Sequence, residues 1–344
     1  MIFVTGGAGY IGSHICVELL NAGYDVTVFD NFSNSSPEAL VRVQQITGRN
    51  LQVIRGDCRD RDALITALQQ SQTNAVIHFA GLKAVGESVS KPLNYYDHNV
   101  VGTLRLLEAM QVCHIRTIVF SSSATVYGDP VHLPITEDHP LSPTNPYGRS
   151  KWMIEEILRD VYRSDPSIRI CILRYFNPVG AHDSGLIGED PQGIPNNLVP
   201  FIAQVAVGRR ERLNIWGNDY PTPDRTGVRD YIHVVDLAIG HLQALAVLKN
   251  IDHERNDQSF GCMTVNLGTG QGHSVLDVIH AYEKACGHSI PYQMAPRRSG
   301  DIAVCYADPQ FAYKILGWKA QLSLEAMCRD SWRWQSRNPN GYQK

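Results

Sequence analysis

Val4-Thr5-Gly6-Gly7-Ala8-Gly9-Tyr10-Ile11-Gly12-Ser13-His14 follows the apolar pair Ile2-Phe3 and leads into a segment with helical spacing, Ser13-Asn21. Its glycines have separate duties. Gly6 permits a sharp turn after a strand, Gly9 lets backbone N–H groups approach a pyrophosphate, and Gly12 lets the following helix pack closely on the strand. The anion then lies at a helix N-terminus, where unpaired N–H groups and the dipole favour negative charge. The second apolar run, Asp25-Phe29, ends in "VTVFDN", which places Asp30 about 20 residues past the loop, as an acceptor for a ribose 2′-hydroxyl should be. A carboxylate there repels a 2′-phosphate, so the stretch calls for NAD rather than NADP.

Working outward, short β-branched runs alternate with helical patterns. Strands are expected at Ile2-Thr5, Asp25-Phe29, Leu51-Arg55, Ala75-Phe79, Thr117-Ser121 and Arg169-Arg174, and helices at Ser13-Asn21, Asp60-Gln69, Thr103-Gln111 and Lys151-Arg163. That order predicts an α/β fold, a doubly wound parallel sheet of Rossmann type covered on both faces. Beyond about Phe176 the rhythm breaks into "NPVGAHDSGLIGEDPQGIPNN" and "GNDYPTPDRTG", the loop-rich composition of a smaller α+β portion. The expected division is a nucleotide-binding domain over 1–176 and a substrate domain over 177–344, with segments near 229–246 returning to the first. The polar run over 249–262 reads as a surface excursion.

Composition excludes several classes. With 43% hydrophobic and 19% charged residues among 344, the chain is an ordinary globular one. A formal charge of −3 gives no field to gather nucleic acid or an anionic membrane. No window offers the roughly 18 apolar residues a spanning helix needs, and the N-terminus opens directly as a strand, so a cytoplasmic protein is expected. The eight cysteines and thirteen histidines are scattered, with no CxxC pair and no ligand spacing, so no metal is expected.

The candidate reacting centre is "PYGRSK", Pro146 to Lys151. A phenol titrates near 10, mostly in the wrong form for a base at neutral pH. A lysine four positions on shares its helical face, and a nearby ammonium is expected to lower the Tyr147 pKa. "IVFSSSATVYG" supplies Ser121, Ser122 and Ser123 at a strand end as the hydroxyl partner. Around the nucleotide loop, "RGDCR" places Asp57, and "HFAGLKAVGES" places Ala80, Gly81 and Lys83, at strand C-termini, where ligands bind in such sheets.

With "VTGGAGYIGSH", "FSSSATVYGD", "PYGRSK", "LRYFNPVGAH", "GEDPQGIPNNLVPFIAQVAVGRR", "GVRDYIHVVDLA" and "PRRSGD", the chain resembles the extended short-chain dehydrogenase/reductases over nearly its whole length, and more closely the UDP-glucose (UDP-galactose) 4-epimerases. The resemblance implies tightly held NAD lined by Gly6, Gly9, Tyr10, Ile11, Gly12, Asp30, Asn31, Asp57, Cys58, Phe79, Ala80, Gly81, Lys83, Tyr147, Lys151 and Tyr175. It also implies a catalytic set of Tyr147, Lys151 and Ser123, with Ser123 and Tyr147 facing the sugar O4. The UDP-hexose anchor falls on Asn177, Asn197, Leu198, Arg229, Arg298 and Asp301. The reaction implied is oxidation at C4, a swing of the 4-keto sugar about its fixed UDP, and return of hydride to the opposite face. A homodimer packed through helices around 92–111 and 151–163 is implied too.

Two departures sharpen this. Cys305 in "GDIAVCYAD" stands at the family's sugar-pocket wall, where a bulky tyrosine accompanies strict use of plain hexoses, so a small thiol implies tolerance of a 2-acetamido group. His98 in "YYDHNV" stands where many relatives carry asparagine. The sugar-nucleotide 4,6-dehydratases need an Asp-Glu pair after the strand-end hydroxyl, and here those places hold Ala124 and Thr125. A dehydrogenase that exchanges its cofactor, or a non-catalytic NAD sensor, is the remaining alternative; the sensor has no need of the Ser123, Tyr147 and Lys151 set.

Overall fold

The computed structural model describes residues 1–250, 261–298 and 300–342, and residues 251–260 of the expected polar excursion lie outside that set. The chain first alternates β1 (Ile2–Thr5), α1 (Tyr10–Asn21), β2 (Val26–Asp30), α2 (Pro37–Thr47), β3 (Gln52–Arg55), α3 (Arg61–Gln70) and β4 (Ala75–His78). Short helices α4 (Val85–Ser90) and α5 (Pro92–Tyr95) run through one π-helical stretch, Tyr96–Val101, into α6 (Gly102–Val112). Then come β5 (Thr117–Ser123), α7 (Pro146–Ser164), β6 (Arg169–Tyr175), β7 (Asn177–Val179), α8 (Leu198–Ala206), β8 (Leu213–Trp216), β9 (Val228–His233) and α9 (Val234–Lys249). The described chain closes with β10 (Cys262–Leu267), β11 (Gly272–Ser274), α10 (Val275–Cys286), β12 (Tyr292–Ala295), β13 (Val304–Cys305), α11 (Gln310–Leu316) and α12 (Leu324–Arg337).

The main sheet runs β10-β6-β5-β4-β1-β2-β3, all parallel. Strand order reverses on either side of β1, which opens a crevice at the strand C-termini. Successive strand residues point to opposite faces, and the core divides accordingly. Ile2, Val4, Cys171 and Leu173 pack with Ile15 and Leu19 of α1 and Leu237 and Leu245 of α9. Phe3, Ile170 and Ile172 pack with Leu64 of α3, Leu106 of α6 and Ile154 and Leu158 of α7. Both faces are covered, which is why these strands read as unbroken apolar runs.

A second core gathers Val179, Val199, Ile202, Leu213, Ile215, Tyr231, Val278, Ile279 and Met327. Its sheets pair β9 with β7, β11 and β13, and β8 with β12. The chain does not stay there: α9 lies against α1, and β10 forms the outer strand beside β6, from Cys262 opposite Ile170 to Leu267 opposite Tyr175. Residues well past 176 therefore complete the first layer.

Two helices depart from the sequence expectation. Helix α7 begins at Pro146, five residues before the expected start, because the Asn145 side chain accepts from Gly148 N at 2.9 Å and proline suits a first helical position. Helix α2 lies between the expected strands Asp25-Phe29 and Leu51-Arg55, where no element is expected from the sequence; Ser36 caps it, Pro37 opens it and Gly48 closes it with φ 64°.

Candidate active site

The glycine turn forms the cradle at the sheet crevice. Gly6 has φ +69°, and a Cβ there would stand 2.8 Å from Ala80 N; a Cβ on Gly12 would stand 2.3 Å from Gly6 O. Only glycine fits these two positions. The cap of α1 is Gly9, which has no side chain to accept from the first-turn N–H groups, so the cap itself leaves those donors to an anion. Asp30, at the end of β2 and 7% exposed, accepts from Ala8 N at 3.0 Å, Phe32 N at 2.9 Å and Ser35 Oγ at 2.9 Å. Asn31 donates to Asp57 at 3.1 Å, and hydrogen bonds from Arg59, joined by that amide, hold the Asp57 carboxyl well below the usual range. The Cys58 thiol is pushed up by burial. Phe79, Ala80 and Gly81 line the end of β4, and Lys83 reaches across to Glu189 at 2.9 Å. Tyr10 hydrogen-bonds Gly180 O at 2.8 Å, with the Lys83 ammonium 5.9 Å above its ring.

At the far end of the crevice, β5 and β6 lie in register so that Ser123 faces Tyr175. The three consecutive serines separate in role. The Ser121 carbonyl accepts from Lys151 Nζ at 2.7 Å, the Ser122 hydroxyl donates to Glu155 at 2.6 Å, and Ser123 meets the Tyr147 phenol. Tyr147 and Lys151 stand one turn apart inside α7. Burial lowers the Lys151 amine to about 8, with Glu155 pulling it back up, so it is charged at neutral pH. The expected lowering of Tyr147 is not what the structure shows. Burial raises the phenol, only Ser123 opposes it, and the ammonium is committed to the Ser121 carbonyl.

Across the cleft, Arg229 on β9 sits in register with Cys305 on β13 and donates to Val228 O at 2.9 Å. Cys305 is buried among Ala124, Tyr127, Ile135 and Phe176, beside the Ser123 strand end. Burial pushes its thiol up to about 11 against the pull of Arg229. Arg298 and Asp301 pair with each other at 2.8 Å, with Trp216 facing the guanidinium. Asn177 opens β7, Asn197 caps α8 ahead of Leu198, and Asn197 Nδ2 donates to Glu189 at 3.4 Å.

The model of the GDP-mannose 4,6 dehydratase family matches residues 3–331. A UDP-glucose 4-epimerase of Bacillus subtilis (strain 168) is 59% identical over 99% of this chain and 98% of its own. The crystal structure of the Bifidobacterium longum UDP-glucose 4-epimerase, in complex with NAD+ and UDP, superposes with a TM-score of 0.94 at 57% identity, covering 99% of both chains. This chain belongs to the UDP-glucose 4-epimerase family. A UDP-Glc/GlcNAc 4-epimerase from Campylobacter jejuni also superposes, with a TM-score of 0.83 at 36% identity over 98% of this chain and 99% of that one. The enzyme is an isomerase of the epimerase class, although the family model carries a dehydratase's description. Ala124 and Thr125 lack the acid and base that elimination of water requires.

Several residues that hold the candidate site's side chains in place are absent from the sequence reading. Asn99, next to His98, is buried and bonds Leu82 N at 2.7 Å, Leu82 O at 3.0 Å and Ser150 Oγ at 3.0 Å, tying the Lys83 loop to α7. Glu189 holds both Lys83 and Asn197. Glu155 and Arg174 form a buried pair beneath the serines. The spacing of Glu155, one turn beyond Lys151, was a signal that could have found it; nothing local marks Asn99 or Glu189. Among the described residues no cluster of side chains is arranged to hold a metal ion, and no helix is long and apolar enough to cross a membrane.

Proposed function

We propose that the epimerase holds NAD in the Gly6–Gly12 cradle and acts at C4 of a UDP-hexose, Tyr147 taking and returning the O4 proton. The observation that carries this is the convergence of Tyr147, Ser123 and Lys151 at the end of β5, on the C-terminal edge of the same sheet whose β1 leads into the cradle. The residues fit the cofactor. Two glycines stand where a Cβ would clash, the α1 terminus has no side-chain cap, and Asp30 ends the second strand. NAD supplies the hydride acceptor and donor. Ser123 fixes O4 by hydrogen bonding and is the group that opposes the burial of the Tyr147 phenol, while Lys151, held by the Ser121 carbonyl, stands at the same strand end to meet the cofactor ribose. Arg229, Arg298, Asp301, Asn177, Asn197 and Leu198 hold the UDP while the hexose turns over.

We further propose that UDP-N-acetylhexosamines are substrates, supported by the small Cys305 side chain beside the Ser123 strand end. The test incubates purified enzyme, with no added NAD, with UDP-galactose and separately with UDP-N-acetylgalactosamine, and resolves products by anion-exchange chromatography. Gluco products from both are expected. In Cys305→Tyr only the plain hexose should still be converted, and equal turnover of both sugars by that variant would overturn the acetyl reading. A homodimer is part of the same reading: Leu93, Leu104 and Met153, on α5, α6 and α7, are 81%, 38% and 40% exposed. Light scattering should give twice the chain mass, and Leu93→Glu should halve it.

A further inference from the structure

His241 belongs to α9 and is none of the site residues named above, yet it is fully buried at the C-terminal edge of the main sheet. Its ring packs 5.0 Å from that of Phe79, at the end of β4, and 5.2 Å from that of Tyr175, at the end of β6. His241 Nδ1 lies 2.8 Å from Leu237 O, one helical turn back. A carbonyl can only accept, so that contact places the proton on Nδ1 and leaves Nε2 as a bare acceptor. The Tyr175 hydroxyl donates to it. Burial pushes the imidazole down to about 4, so it stays neutral in this role at physiological pH.

The chain of polar contacts continues toward the reacting centre. The Ser121 side chain hydrogen-bonds the Tyr175 phenol, and the Ser121 carbonyl accepts from Lys151. Burial, and the nearby Tyr147, raise the Tyr175 phenol. A hydroxyl locked as donor to His241 cannot become a second phenolate beside Tyr147. Its remaining lone pairs point away from the imidazole, in one fixed orientation.

We propose that His241 is a positioning residue which, through Tyr175, fixes the nicotinamide half of the cofactor against the strand ends. The inference rests on the reading that NAD lies in the cradle with its nicotinamide beside Tyr175. A loosened Tyr175 would hold the nicotinamide half of a bound cofactor less firmly, so kcat would fall more than substrate affinity.

The test compares the parent enzyme with Tyr175→Phe, His241→Leu and the double variant. Three quantities are read: nicotinamide released on denaturation, the fraction held reduced during turnover of UDP-glucose, and kcat and KM. Both single variants should lose about tenfold in kcat, the scale of one oriented hydrogen bond, with KM little changed and the reduced fraction raised severalfold. The double variant should be no worse than either single one, since both cut the same contact. A lowered thermal midpoint with unchanged kcat and reduced fraction, or additive losses, would overturn the proposal. Should His241→Leu fail to fold, Tyr175→Phe, which removes one oxygen, decides alone. A parent enzyme that releases no nicotinamide would overturn the cofactor reading itself, a result separable from the others.

Discussion

Replacing Arg174 by methionine tests what holds up the floor of the active site. Arg174 is 1% exposed and Glu155 0%. The guanidinium reaches both carboxylate oxygens, at 3.0 and 2.6 Å, while Ser122 Oγ adds a bond of 2.6 Å and Arg159 one of 3.0 Å. Removing one partner of a buried pair costs about 3–5 kcal/mol, because the other charge is left unpaired away from water. Ser122 and Arg159 remain here, so the loss should sit at the low end, about 3 kcal/mol.

The pH dependence gives a second signature. Burial pushes the Glu155 carboxyl up, but Arg174, with Ser122 and Arg159, more than offsets it and holds it below its ordinary range. Its stabilisation is therefore present above the unfolded carboxyl value, about 4.3, and is lost as pH falls through the lower folded value. In Arg174→Met the burial effect is left less opposed and the folded value climbs, so stability should improve as pH falls from about 7 to about 5. Urea unfolding followed by tryptophan fluorescence at both pH values measures this. Adding Glu155→Gln to the variant should restore most of the loss. A cost under about 1 kcal/mol, or a double variant no more stable than the single, would refute the reasoning.

Gly12→Ala should abolish cofactor retention, since the new Cβ would stand 2.3 Å from Gly6 O; nicotinamide content of the purified protein checks this. Tyr147→Phe should lower kcat by about 10²–10⁴-fold while the cofactor stays bound, the range for removal of an acid–base group; steady-state kinetics and nicotinamide content together decide it. Burial lowers the Lys151 amine from 10.5 to about 8. Its charged form therefore costs stability below the folded value, and that cost fades as pH rises from there toward 10.5. Lys151→Met should thus unfold at a higher temperature than the parent near neutral pH and turn over far more slowly, as calorimetry and an epimerisation assay would show.

What could be read from the sequence was whatever local chemistry demands. The glycine turn, Asp30 and the Tyr147/Lys151 spacing announce themselves because a tight turn, a ribose acceptor and a shared helix face each need particular residues at particular separations. The relatives show the Rossmann-type fold and the epimerase class that these stretches implied. The start of α7 was placed late because Asn145 and Pro146 look like loop residues, although they cap and open the helix. Helix α2 was passed over because its polar face outweighs the stripe of Ala39, Leu40 and Val43 that it buries. The Tyr147 phenol differs for another reason: spacing reveals the ammonium, but only the packed structure reveals the burial that raises the phenol and the Ser121 carbonyl that claims the ammonium. Arg174 and His241 act through Glu155 and Tyr175, far from them along the chain, so nothing in their sequence neighbours discloses them, whereas Glu155 stands one turn beyond Lys151, a spacing the sequence does display.

The outer strand β10 has a bearing on how this protein comes into being. The nucleotide-binding layer cannot close when its first six strands have left the ribosome, because the edge of β6 waits for β10 (Cys262–Leu267) and the apolar flank of α1 for α9 (Val234–Lys249). Until then β6 exposes an unpaired backbone edge, the kind of surface that draws other chains. A fragment ending near residue 176 should therefore be a sticky, unfinished sheet rather than a small autonomous nucleotide binder, and maturation of the cofactor site must await synthesis of roughly three-quarters of the polypeptide.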